Sequence, residues 1–183
     1  MQLLRPGLLD GVTVATAGGA GHVAAACAAL GAATPALDAD PADEDALAAA
    51  AARLGPAAAL VCDAAPAFRA AGADLAGLRA GLDGAWNATR AVVNAVLRPA
   101  GGGKIILLGP RPGDGAQAAA LRAALENAAR TCAVEWARYG VRVNAVLPGD
   151  ATSDEEVATL CAYLVSRAGH YFSGCAFTLG AAR

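Results

Sequence analysis

The sequence predicts an α/β domain: a parallel sheet with helices packed on both of its faces. Short β-prone runs alternate with longer alanine-rich runs along the chain, the order that builds βαβ units. Those β-prone runs are continuously apolar, as strands covered on both sides are. A glycine cluster, Gly18-Gly19-Ala20-Gly21, follows the first of them and opens a helical run. Bare backbone at that junction lets peptide N–H groups approach a pyrophosphate, so the expected fold is a Rossmann-like, doubly wound sheet.

The elements follow in order. Residues 11–16 read as the first strand, and His22 to Leu30, all apolar or small apart from His22, as a helix packed closely on the sheet. Gly31 stops that helix. Asp43 to Leu54 is a second helix, its acidic first turn complementing the helix dipole. Ala57 to Cys62 is a buried strand bounded by Pro56 and by residues 63–66. A long helix over 75–97 precedes Gly101-Gly102-Gly103 and a strand over 104–108. A second long helix is expected over 116–139, a strand over 141–147, a helix over 154–167 and a last strand over 176–179. Ser153 or Asp154 caps the last helix. Residues 31–43 are too few for the strand, helix and strand usual there, and Pro35 disfavours a central strand. About one βα unit is therefore expected to be trimmed from a single domain spanning residues 1–183.

Composition narrows the function. With 183 residues, 56% of them hydrophobic, the chain can bury a sizeable core. A net charge of −2 with scattered Lys and Arg gives no footprint for nucleic acid. Arg5, Pro6 and Asp10 interrupt the first apolar stretch, and Arg53, Asp63 or Asn94 interrupt later ones, so neither a secretory signal nor a membrane span is expected. Five widely spaced cysteines without a C-x-x-C pair fit reduced thiols in a cytoplasm. Metal-ligand spacing, a nucleophile elbow and an H-E-x-x-H pair are all missing from the sequence. His22 reads as a neutral packed histidine or as a phosphate contact in the turn. Cys62 reads as an inert buried thiol, and Tyr139, Tyr163 and Tyr171 as packing or surface residues.

Residues 140–149, Gly-Val-Arg-Val-Asn-Ala-Val-Leu-Pro-Gly, closely resemble a late strand of the short-chain dehydrogenases/reductases. Residues 60–65, Leu-Val-Cys-Asp-Ala-Ala, resemble that family's L-V-N-N-A-G, with Cys62 and Asp63 in place of two asparagines. Residues 171–180 resemble its terminal Y-x-T-G-x-x-x-x-x-D-G, with Ala181 and Ala182 following. The glycine turn is altered: of the family's T-G-x-x-x-G-x-G, only Thr16 and Gly21 stand in place. Ala17 and Val23 replace two glycines, while Gly18 and Gly19 restore backbone freedom; Ala17 is expected to obstruct a left-handed turn.

The resemblance implies a remnant cofactor site at Gly18, Gly19, Gly21, Asp38, Asp63, Pro148 and Gly149, taking NAD or NADP with binding weakened or lost. Asp38 either matches a ribose-binding carboxylate or belongs to a solvated acidic loop with Asp40, Asp43, Glu44 and Asp45. The family moves a proton with Tyr and Lys on one helix face, orients substrate with Ser and supports a water relay with Asn. Here those positions hold Ala118, Arg122, Pro110 and Gly81. Ala118 has no proton to give, Arg122 cannot titrate usefully, and Pro110 lacks both hydroxyl and N–H. The family's substrate lid after Pro148-Gly149 is also expected to be deleted, because residues 150–153 run almost directly into the next helix.

Retained assembly elements beside an emptied site imply a subunit inactive on its own. It would pair with an active paralogue through the two long helices and the C-terminal elements, with Trp86, Trp136 and Val92 as larger anchors. Two alternatives stand beside it: an oxidoreductase rebuilt around Arg122 or Asp114, and a nucleotide-binding regulatory module.

Overall fold

The computed structural model describes residues 4–180; Ala181 and Ala182 lie outside them. Five parallel strands form one sheet: β1 (Val14–Ala17), β2 (Ala59–Asp63), β3 (Gly103–Leu108), β4 (Val141–Leu147) and β5 (Ala176–Thr178). Their spatial order is their sequence order. Among the described residues six α-helices accompany them: α1 (Gly21–Ala29), α2 (Glu44–Arg53), α3 (Ala65–Ala70), α4 (Leu75–Val92), α5 (Ala118–Glu135) and α6 (Asp154–Val165).

Two buried clusters divide the helices between the faces. Val14, Ala59, Val61, Ile106 and Val146 point to α1 and α6. Ala15, Leu60, Cys62, Ile105, Leu107 and Val143 point the other way, to α2, α3, α4 and α5. Strand side chains alternate in direction, so an unbroken apolar run serves two cores at once.

Residues 32–37 refine the sequence reading. They lie along the free edge of β1, bridged at Thr13–Ala33 and Thr16–Ala36. Ala33 N–H donates to Val12 at 3.0 Å and Leu37 N–H to Thr16 at 2.7 Å. Between those two bonds Pro35 has no N–H to give, so the ladder is broken once, at an edge where proline is tolerated. The chain then crosses through α2 to β2, on the far side of β1. The carboxyl end of β1 is thus the point where the path diverges, the usual ligand crevice of such sheets.

Three other departures have local causes. Residues 63–66 do not merely end a strand, since Pro66 sits at the start of α3, where a missing N–H costs nothing. α4 ends at Val92 and continues as a π-turn over Val93–Leu97. Val92 itself is fully buried, so it anchors the core and no outer surface. The link from β4 to α6 is as short as the sequence reading has it, and Ser153, one of the two expected caps, closes it in a reciprocal box with Glu156.

Candidate functional site

The glycine turn after β1 opens on a cavity of about 460 Å³ lined by Gly18, Gly19, Gly21, Asp38, Asp63, Gly81 and Gly84, among others. Gly18 and Gly19 are left-handed, with φ of 69° and 91°. A Cβ on Gly18 would stand 2.0 Å from the Asp63 carbonyl oxygen, so the turn rests directly on the end of β2. Ala17 does not obstruct it, because Ala17 is the last residue of β1, paired with Cys62, and the left-handed positions come after it. Nothing lies within 4 Å of where a Gly21 Cβ would point, leaving the start of α1 open to close approach. No side chain caps that helix, and its first turn holds no acid. Bare backbone of this kind fits the phosphates of a dinucleotide.

Asp63 sits over this turn, 8% exposed, accepting a hydrogen bond from Ala65 N–H at 2.9 Å. Burial pushes its carboxyl up to about 6, and Asp114 and Asp154 add to the effect. Beside it, burial raises the Cys62 thiol to about 12, which leaves no thiolate for nucleophilic work. Asp38 is exposed at the cavity rim. His22 points away from this cavity. It lines a groove between α1 and α6 with Asp154, apart from the glycine turn's cavity.

Pro148 and Gly149 are buried at the end of β4 and do not line the cavity. The Arg122 guanidinium holds this corner. It donates to the carbonyl oxygens of Pro110 at 2.7 Å, Pro148 at 2.5 Å and Leu147 at 3.3 Å. One cation therefore ties α5 to the ends of both β3 and β4. Ala118, one turn before Arg122, is fully buried. A Cβ on Gly81 would stand 2.7 Å from Leu121 Cδ2 and 3.2 Å from the Ala64 carbonyl, so α4 can approach only as glycine there.

The loop after β3 is fastened from three sides. Asp114 accepts from Arg69 at 3.1 Å and from the Arg111 N–H at 2.8 Å. Arg111 reaches Asp154 and the Thr152 carbonyl, each at 2.8 Å, and Gly113 N–H donates to Asp150 at 2.7 Å. Asp114 and Arg122 are thus both engaged in holding the end of the sheet together. Among the described residues no group of three or more His, Cys, Asp or Glu could hold a metal ion, and no helix is long and apolar enough to cross a membrane.

Residues 77–152 match the family described as Enoyl-(Acyl carrier protein) reductase. Solved structures match over nearly the whole chain. A short chain dehydrogenase from Mycobacterium smegmatis is 21% identical, with a TM-score of 0.78 over 98% of this chain and 96% of its own. A gluconate 5-dehydrogenase from Burkholderia cenocepacia, in complex with NADP and tartrate, is 22% identical, with a TM-score of 0.75 over 93% and 94%. The fold of this chain is that of these short-chain dehydrogenases. BdcA from E. coli shares the fold at 22% identity and a TM-score of 0.75, over 94% of this chain and 100% of its own. BdcA has also been solved in complex with NADPH. A search of the curated proteins returned no match.

Sequence reasoning placed the glycine turn and Asp63 together, and the structure brings them to one cavity. It missed the use to which Arg122 is put. The signal it lacked was the spacing: the acceptors are 12, 25 and 26 residues away in sequence.

Proposed function

We propose that this chain is a short-chain dehydrogenase/reductase that acts as a non-catalytic cytoplasmic subunit, pairing with and stabilising an active NAD(P)-dependent oxidoreductase of the same family. The observation that carries this reading is the Arg122 clamp. Where a reductase of this family needs a titrating pair, the chain has buried Ala118 and a guanidinium engaged by three carbonyl oxygens. Such a cation neither accepts a proton nor lowers the pKa of a neighbouring phenol, since there is none beside it. Its three bonds serve the fold.

The pairing surface in this reading is the outer face of α4 and α5. Trp86 is 44% exposed and stacks on Trp136 at 6.1 Å between ring centroids. Leu82, Ala124, Ala128 and Cys132 line the apolar groove beside them. Half-exposed tryptophans beside small residues are the composition of an interface anchor.

A regulatory nucleotide-binding role is favoured by one observation of its own, the open cavity at Gly18, Gly19 and Gly21. The two readings part on binding: the subunit role tolerates loss of NAD(H) and NADP(H), whereas the regulatory role requires one of them. The chain should be purified from its native host under mild conditions and its companions identified by mass. Co-purification with an active family member, and no alcohol–ketone turnover by the chain alone, is the expected result. Recovery of homo-oligomers only, or turnover abolished by a mutation in this chain, overturns the proposal.

A further inference from the structure

At the amino edge of the sheet, opposite the glycine turn, a second cavity of about 470 Å³ lies over the start of β3 and β4. Its floor is backbone. Gly101, Gly102 and Gly140 pack so closely that a Cβ on Gly102 would stand 2.7 Å from the Gly140 carbonyl, and one on Gly140 would stand 2.5 Å from that of Gly101. Its walls carry Lys104, Arg142, Arg167 and His170, and no acidic side chain lines it.

Lys104 and Arg142 are register partners on adjacent strands and point to the same face. Like charges directly opposite in a ladder are destabilising. Lys104 is 4% exposed and directs its ammonium at the end of α6, donating to Leu164 at 3.0 Å, to Val165 at 3.2 Å and to Ser166. Those bonds consume its donors but not its charge, and they fix the turn over Arg167–Tyr171 that carries Arg167 and His170. Gly169 locks the same turn, since a Cβ there would lie 2.1 Å from the Leu164 carbonyl. Arg142, Arg167 and His170 have no ion-pair or hydrogen-bond partner for their side chains among the described residues. The neighbouring cations Lys104, Arg142 and Arg167 depress the His170 imidazolium below its usual range.

We infer that this cavity is a binding site for a small oxyanion, a free phosphate or a phosphomonoester. Arg142 and Arg167 would grip it, His170 would donate to it, and the fixed charge of Lys104 would sit beneath. A doubly charged oxyanion offsets the mutual repulsion of three cationic groups that the fold holds in place, and guanidinium forks match its geometry. No dinucleotide is involved, so the site stands whether or not the glycine turn binds one.

The test is calorimetric titration of the purified chain with inorganic phosphate and with glycerol phosphate, at constant ionic strength set by chloride. Saturable one-to-one binding is expected, weakened about tenfold or more by Arg142→Gln and by Arg167→Gln, as loss of a charge-assisted contact implies. Arg167 is exposed, so its variant reports even if Arg142→Gln fails to fold. Tighter binding of the ester assigns a phosphomonoester ligand, and equal binding assigns the free ion; both support the site. Absence of saturation, or binding undiminished in folded Arg167→Gln, overturns it.

Discussion

Arg122 Nη1 donates to the Pro110 carbonyl at 2.7 Å, so a side chain of α5 is bonded to the backbone just beyond β3. The two residues are structurally coupled. A proline there has no N–H and no hydroxyl to direct at a substrate, while its carbonyl is free to accept. An arginine presents the planar fork that can reach several carbonyls at once.

Removing that fork should cost stability. Arg122→Met leaves three half-buried carbonyls short of a charged donor and is expected to lower the unfolding free energy by about 2–3 kcal/mol. Arg122→Lys should recover only part of it, because one ammonium cannot serve the same span. Urea unfolding of the two variants against the parent checks both the loss and its order.

An asparagine at position 81 should not be accommodated. At Gly81→Asn the new Cβ would meet Leu121 Cδ2 at 2.7 Å and the Ala64 carbonyl at 3.2 Å. Overpacking of this kind costs about 1–3 kcal/mol. Thermal melts should show a lowered midpoint with no gain in reductase turnover. A stable Gly81→Asn protein would mean that α4 can shift away from α5.

Asp63 predicts a pH dependence. Its carboxyl titrates near 3.8 when unfolded and is raised to about 6 in the fold by burial. The unfolded chain therefore loses this proton first as pH rises, and the folded state gives up stability between those two values. The contribution, on the order of 2 kcal/mol, is fully present below the lower value and gone above the upper one. Asp63→Asn should flatten that limb and be the more stable protein at neutral pH. Chemical denaturation at a series of pH values reads the difference directly.

The pairing surface can be tested without disturbing the core. Trp86 is 44% exposed, so Trp86→Ala should leave the melting of the isolated chain nearly unchanged. Its loss should weaken assembly with the partner by about 2 kcal/mol, the scale of an interface anchor. Sedimentation of the mixed subunits measures this. Unchanged assembly would place the contact elsewhere on the molecule.

The sheet was legible in the sequence because doubly buried strands announce themselves as unbroken apolar runs such as Ile105 to Leu108, and the long helices by their alanine content. The glycine turn was legible in place but not in detail. Gly18 and Gly19 take the left-handed positions, and Ala17 finishes β1. Residues 32–37 hid their pairing behind Pro35, since a broken ladder looks like no ladder from composition alone. α3 hid behind Pro66, read as a terminator where it was an initiator. The Arg122 clamp and the Asp63 environment depend on partners brought together by three strands, and no local pattern encodes them.

From β2 to β5 each strand pairs with the named strand before it, while residues 32–37 cover the other edge of β1. In sheets whose order doubles back, a central strand waits for neighbours that come later in the chain. Here a nascent polypeptide leaving the ribosome can dock every new βα unit onto an edge that already exists. No finished strand need stay unpaired for more than one unit of synthesis, and exposed strand edges are what lead growing chains to aggregate.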